Sequence, residues 1–340
     1  AVGLLLAMLG TGGCQPSDGS EVPASSATVE EAAVRTLPLA APLDDPQVEI
    51  SGLAWYGDTL VVLPQYPHRE ATQGRRLWGI PRAEIDRYRA DTTSGALRVF
   101  PIPVDASAVR SYSSAYEGCE ALAFQGDTIY IVTESEGAST GMTGHLVRGR
   151  VAPGLEGITL EGPSVRTLPR QAALPNMSYE AMLLRGDTLV TLYEANGAAV
   201  NPRPRAYRFG PALQPVDSVR FPALEYRLTD ATAPDEAGRF WVTNYFYPGE
   251  RDLLQPATDS IARRHGRGAT HARSAVVERL VEYQFANGRI RRTDRPPLWL
   301  RLGDGSGRNW EGVVRYGDGF LLATDRFPKT MLAYVDGRGR

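Results

Sequence analysis

Five polar residues, Ser51, Glu120, Glu180, Asp230 and Glu311, each stand directly before a glycine or an alanine. Fourteen positions after each comes a second polar residue: Gln65, Glu134, Glu194, Asn244 and Asp325. Carboxylates gathered from distant parts of a chain can hold a cation or trade protons with a substrate. Packed together without a cation they raise one another's pKa, because each charge disfavours the next. The first set offers only oxygen, with no histidine and only Cys119 beside it. Such a set suits hard Ca2+, with waters completing its roughly six to eight ligands, better than Zn2+. In the second set, Glu134 and Glu194 are candidate bases that could orient or deprotonate a water.

Hairpins must position these residues. The copies read ISGLAWYGDTLVVLPQ (50–65), CEALAFQGDTIYIVTE (119–134), YEAMLLRGDTLVTLYE (179–194), TDATAPDEAGRFWVTN (229–244) and WEGVVRYGDGFLLATD (310–325). A turn about halfway along each folds the second polar residue back beside the first, within about a residue, so both sets should share one face. The copies begin 69, 60, 50 and 81 residues apart, and further strand-like runs follow each. A repeat of that length built from strands predicts an all-β fold, a β-propeller. Five blades are expected, with six as the alternative if a degenerate blade lies between 249 and 300. The last copy is followed by a single run, TMLAYVD, whereas AAVRTLPLA (32–40) near the other end resembles a fourth strand. Lending it across would close the ring and cover an exposed edge.

Two insertions interrupt the pattern. PRAEIDRYRA, in the insertion near 81–92, opens with a proline and carries helical spacing, so it predicts a short helix. Residues 249–274 are basic and turn-rich, a lid or a surface loop. In blade two, PSVRTLP (163–169) reads as the fourth strand. The innermost strand of each propeller blade lines the central channel, so Ser51, Glu120, Glu180, Asp230 and Glu311 should ring one mouth, where either some of them are protonated or a metal sits on the axis, with calcium the better fit. Loops at that mouth supply Arg227, Arg308, Arg326 and Tyr245, a set able to hold an anionic group such as a phosphate.

The 340 residues can bury one large β domain, placed at 32–340. A net charge of -2 and the absence of any Lys/Arg run argue against a nucleic-acid partner. The 35 glycines and 25 prolines, spread along the chain, suit many short strands joined by turns. No G-x-S-x-G elbow, Walker loop or His/Cys metal spacing is present. GDGSG (303–307) precedes a strand and so reads as a connection between blades. Residues 1–14, AVGLLLAMLGTGGC, are apolar but too few to span a bilayer, and they read as a signal peptide. Their Gly-Gly-Cys ending resembles a bacterial lipobox, which implies lipidation of Cys14. Residues 15–31 follow as a flexible tether. The expected location is the bacterial cell envelope, lipid-anchored or periplasmic/extracellular. Membrane contact would come only through the anchor, and a monomer is expected.

The E-G/A-L-A opening followed by G-D-T and an apolar strand resembles bacterial phytase-like and SdiA-regulated β-propeller lipoproteins. More distantly the hairpins resemble the calcium-activated nucleotidases, the soluble apyrases, with NWEGVV similar to that family's Y-E-G-L segment. The second resemblance implies five blades and one axial Ca2+ held by Ser51, Glu120, Glu180, Asp230 and Glu311. It also implies a Ca-dependent hydrolase of phosphate esters or anhydrides, with an anionic small-molecule substrate. The alternative is a non-catalytic envelope lipoprotein, a ligand-binding propeller whose axial calcium is structural.

Overall fold

A computed structural model describes residues 29–68, 75–112, 116–137, 141–303 and 307–337, and the side chains of 110–112, 116, 117 and 137 are outside that description. Cys14, the signal-like segment, most of the tether and the centre of GDGSG therefore lie outside the described residues.

Short apolar runs and Gly-Asp turns produce twenty-two strands among the described residues. Strand β1 (Val34–Leu37) precedes blade one, which holds β2 (Ile50–Tyr56), β3 (Thr59–Pro64), β4 (Arg76–Pro81) and β5 (Phe100–Asp105). Blade two holds β6 (Tyr116–Gln125), β7 (Thr128–Gly137), β8 (Gly141–Val151) and β9 (Ile158–Leu160), with the short β10 (Arg166–Thr167) also on β8. Blade three is β11 (Tyr179–Arg185), β12 (Thr188–Tyr193), β13 (Arg205–Phe209) and β14 (Pro215–Arg220). Blade four is β15 (Arg227–Ala231), β16 (Arg239–Phe246), β17 (Val277–Ala286) and β18 (Arg289–Arg292), with β19 (Leu298–Trp299) also on β17. Blade five is β20 (Trp310–Tyr316), β21 (Gly319–Thr324) and β22 (Leu332–Asp336), and β1 is its fourth strand.

The fold is a five-bladed β-propeller closed by an N-terminal strand. Val34 to Leu37 run antiparallel to Val335 to Leu332. The innermost strands pack in cyclic order, β2 on β6, β6 on β11, β11 on β15, β15 on β20, and β20 back on β2. Blades one and two also join at their outer edges, where β5 and β9 pair in parallel. Five apolar clusters fill the five gaps between neighbouring blades. Leu63 and Leu122 belong to the gap between blades one and two, for example, and Leu53 and Leu321 to that between one and five. Burial on both sheet faces explains why the strands are so uniformly apolar.

Blade two departs from the sequence reading. Its fourth strand is Ile158–Leu160, and Arg166–Thr167, inside the expected PSVRTLP run, pairs further along the same neighbour. The eleven-residue β8 is long enough to accept both segments. No sixth blade occupies 249–274. That stretch forms α2 (Arg251–Leu254) and α3 (Ser260–His265), whereas the expected first insertion forms α1 (Arg82–Ala90). The second insertion is anchored. Asp259 caps α3 by accepting from the Ile261 and Ala262 N–H groups, and it takes two hydrogen bonds from buried Arg279 of β17.

Candidate functional site

All five hairpins turn on a glycine in the left-handed region, Gly57, Gly126, Gly186, Gly238 and Gly317, with φ of 55°, 53°, 56°, 77° and 54°. A side chain would strain that conformation. Each turn sets the strand register, and each innermost strand then carries an irregularity at the ring position, with β6 carrying a second between Tyr116 and Gly118. The pairing skips between Ile50 and Gly52, Cys119 and Ala121, Tyr179 and Ala181, Leu228 and Ala231, and Trp310 and Gly312. The residues left over include Ser51, Glu120, Glu180, Asp230 and Glu311. Each ring residue thus sits in a β-bulge, which frees it from the ladder and re-aims its side chain. The bulge also moves the outer set back by one place. Gln65, Glu194 and Asp325 donate their N–H groups to the carbonyls of Glu49, Ser178 and Asn309, two residues before the ring position.

The five hairpins surround a cavity of about 760 Å3 at one end of the channel. Seven carboxylates line it: Glu49, Glu120, Glu134, Glu180, Glu250, Glu311 and Asp325. The arginines in its wall are Arg227 and Arg326, and Tyr66, Tyr245, Tyr247, Asn176, Asn309 and Phe327 complete much of the rest. Of the ring residues, Glu120, Glu180 and Glu311 reach the cavity wall. Burial, then the charges of Glu134, Glu180 and Glu311, push the Glu120 carboxyl well above the usual carboxylate range. Glu180 is raised well above it by burial, then by Glu194 and Glu311, against the opposing pull of Arg227. Glu311 is raised in the same way by burial and Asp325, and Arg227 and a hydrogen bond from Asn309 oppose the shift.

Ser51 and Asp230 are buried but do not line the cavity. Asp230 is turned along the ring, accepting from the N–H groups of Ala231 and Val313, each at 2.7 Å. It ties its own bulge to the innermost strand of blade five. Ser51 Oγ has no hydrogen-bond partner among the described residues. In the outer set, Glu134 and Asp325 line the cavity, and Glu194 lies fully buried behind Arg227. Asn244 is taken up by structure, donating to the Glu225 and Arg227 carbonyls and accepting from Arg279.

Arg227 holds the centre of the electrostatics. Its Nε donates to Glu194, and its terminal nitrogens stand 3.6 Å from Glu250 and 3.7 Å from Glu311. Burial works against the charge, but Glu194, Glu180, Glu250 and Glu311 outweigh it and hold the guanidinium protonated far into the basic range. Arg308 faces elsewhere. It is bound to Glu278 at 2.9 Å through Nε and to the Arg301 carbonyl at 2.7 Å, away from the cavity wall. Arg326 is more than half exposed at the rim, 3.5 Å from Glu49. Tyr245 presents a buried ring to the cavity, and burial pushes its hydroxyl pKa up.

Glu49 and Glu250 escaped the sequence reading. Glu49 occupies the position two before the ring residue, which the bulge brings opposite the outer set, so reading the repeat two residues upstream would have exposed it. Glu250 comes from the second insertion and carries no repeat signal.

The donor chemistry fits a hard cation. Glu120 is 1% exposed, lines the cavity, and its Oε1 has no hydrogen-bond partner among the described residues. Gly118 leaves room for that oxygen, since a Cβ there would come within 2.5 Å of it. Among the described residues no three His, Cys, Asp or Glu side chains converge tightly enough to enclose a metal as they stand. The Arg227 guanidinium stands among them instead.

No protein-family model matches the chain, and no curated protein sequence does. Solved structures do resemble it in overall shape. One is described as a member of the GH130 family of mannoside phosphorylases that targets β-1,2 mannosidic linkages in Candida mannan. It has 10% identity, a TM-score of 0.49, and coverage of 92% of this chain and 95% of that one. A glycosyl hydrolase from Bacteroides ovatus has 11% identity, a TM-score of 0.49 and coverage of 92% and 95%. The soluble aldose sugar dehydrogenase of Escherichia coli has 11% identity, a TM-score of 0.44 and coverage of 90% and 100%. These likenesses concern the fold alone, because folds of this kind host many unrelated chemistries.

Proposed function

We propose that the mouth of the propeller binds a hard divalent cation, Ca2+ foremost, and that the protein is a Ca-dependent hydrolase of phosphate esters or anhydrides. One observation carries the reading: seven carboxylates and two arginines line a single cavity, and a buried oxygen of Glu120 there accepts no hydrogen bond from a described residue. Glu120, Glu180 and Glu311 would hold the cation. Ser51 and Asp230, which lie off the cavity wall, would support the ring from behind. When bound, calcium neutralises the carboxylates and polarises a phosphoryl oxygen as a Lewis acid.

The chain's own residues have separate tasks in this reading. Glu134, at the wall, accepts a proton from water, and Glu194 holds Arg227 in place through its Nε. Arg227 and Arg326 face the anionic group, and Tyr245 can donate its hydroxyl. Arg308 is a positioning residue on this view, fixing Glu278 and the approach to β20. Purified protein incubated with Ca2+ should release phosphate from at least one of a panel of nucleotides, inositol phosphates and aryl phosphates. Absence of release across the panel would remove the hydrolase.

A second reading is a non-catalytic ligand-binding propeller with a structural axial calcium. The engagement of Arg308 by Glu278 and of Arg227 by Glu194 favours it, because both reduce the positive charge offered to a phosphate. In that case a Glu120→Gln plus Glu311→Gln variant would lose calcium and calcium-dependent thermal stability with no activity to lose. We also propose an envelope location with Cys14 lipidated. Metabolic labelling with a fatty acid that disappears in Cys14→Ser would support this, and unlabelled wild-type protein would refute it.

A further inference from the structure

Arg227 is the point at which cation and anion binding meet. It is the first residue of β15, bridged by its backbone to Ala195 of blade three, so its position is set by two blades. Its single side-chain hydrogen bond among the described residues runs from Nε to Glu194, which is fully buried and cannot follow a ligand outward. The terminal nitrogens are held differently. Their partners, Glu250 and Glu311, stand at 3.6 Å and 3.7 Å, beyond normal hydrogen-bond length. Arg227 also lines the cavity, so the open fork of the guanidinium looks into the space where a ligand would sit. A guanidinium fork matches a phosphate or carboxylate edge with two parallel hydrogen bonds.

Glu311 therefore has two possible cationic partners, the guanidinium in this structure and a divalent cation in the proposed function. Glu120, with its partnerless buried oxygen, can recruit the cation without breaking an existing bond. Glu311 can join only by weakening its attraction to Arg227. We propose that Arg227 couples cation and anion binding: a divalent cation draws Glu311 away from the guanidinium, and the released fork takes the anionic group of the ligand. This rests on the proposed cation site and adds an energetic link within it. By thermodynamic reciprocity the anion must then strengthen cation binding by the same factor.

The test is calorimetric titration of Ca2+ into chelator-treated protein, with and without methylphosphonate as the anion. Wild-type protein should bind Ca2+ about fivefold or more tightly when the anion is present, the lower range of ordinary coupling. In Arg227→Met, Ca2+ alone should bind more tightly than in wild type, because its competitor is gone, and methylphosphonate should no longer matter. Arg227→Lys keeps the charge without the fork, so it should keep wild-type Ca2+ affinity while losing most of the coupling. It carries the test if circular dichroism shows the methionine variant unfolded. Equal coupling in wild type and Arg227→Lys, or weaker Ca2+ binding in folded Arg227→Met, would overturn the inference. If wild type binds no Ca2+ but Arg227→Met does, the proposed resident calcium fails and the competition stands. If neither binds, both fail.

Discussion

Replacing Glu120 by glutamine should stabilise the calcium-free protein, although it removes a residue proposed to be functional. Glu120 is buried, one of its oxygens has no hydrogen-bond donor among the described residues, and Glu134, Glu180 and Glu311 all raise its pKa. No arginine is among the main groups acting on it, in contrast to Glu311. An acid whose pKa is raised by folding favours the folded state while protonated. It loses that contribution as pH climbs from the unfolded value of 4.5 through the folded one. Glutamine keeps the shape and discards the charge, so the gain should be small at pH 4.5 and grow towards pH 8. An unpartnered buried charge costs at least the roughly 1–3 kcal/mol of an unsatisfied buried polar group, and removing that charge while a buried amide stays behind should recover a gain of that order. At roughly 2 °C per kcal/mol for a domain of this size, Tm in chelator should rise by about 2–6 °C at pH 8. Calcium should then narrow the difference, because wild type gains from the cation and the variant gains less. Differential scanning fluorimetry from pH 4.5 to 8, with EDTA or CaCl2, reads all of this. A Tm that falls in EDTA at pH 8, or a gain independent of pH, would refute the electrostatic reasoning.

Two further outcomes probe the scaffold. A Cβ on Gly312 would lie 2.8 Å from Leu53 of the adjoining blade, so Gly312→Val should cost about 1–3 kcal/mol in urea denaturation. Leu53→Ala should recover part of that loss, and an undiminished penalty in the double variant would place the strain elsewhere. Asp259→Ala leaves Arg279 buried and unpaired and also uncaps α3, so it should cost about 3–5 kcal/mol. Adding Arg279→Met should restore most of the stability, and failure to do so would show that the cap outweighs the ion pair.

Much of this architecture could be read from the chain because one short-range device repeats. The Gly-Asp turns at 57, 126, 186 and 317 set the register of four hairpins, and the buried inner strands force the same apolar pattern in each. The bulges could not be read so directly. They arise where β2, β6, β11, β15 and β20 meet around the ring, and they displaced the outer set by one residue, which hid Glu49. Asp230 shares the repeat position of Glu120, yet two backbone N–H groups capture its carboxylate, one from its own strand and one from Val313 of blade five, and only the packing of blades four and five decides that. Arg227 stood out only as one basic residue among several. Its central place depends on Glu194, Glu250 and Glu311 arriving from two blades and an insertion. Arg308 shows the converse, since its type suited a phosphate but Glu278 of β17 claims it.

Calcium titration by calorimetry, on wild type and on Glu120→Gln plus Glu311→Gln, reads the proposed cation site most directly. We expect one binding event in wild type at pH 7.5 and none in the double variant, with circular dichroism unchanged between the two. Absence of binding in wild type, or binding that survives in the double variant, would contradict a cation held at the mouth by these carboxylates.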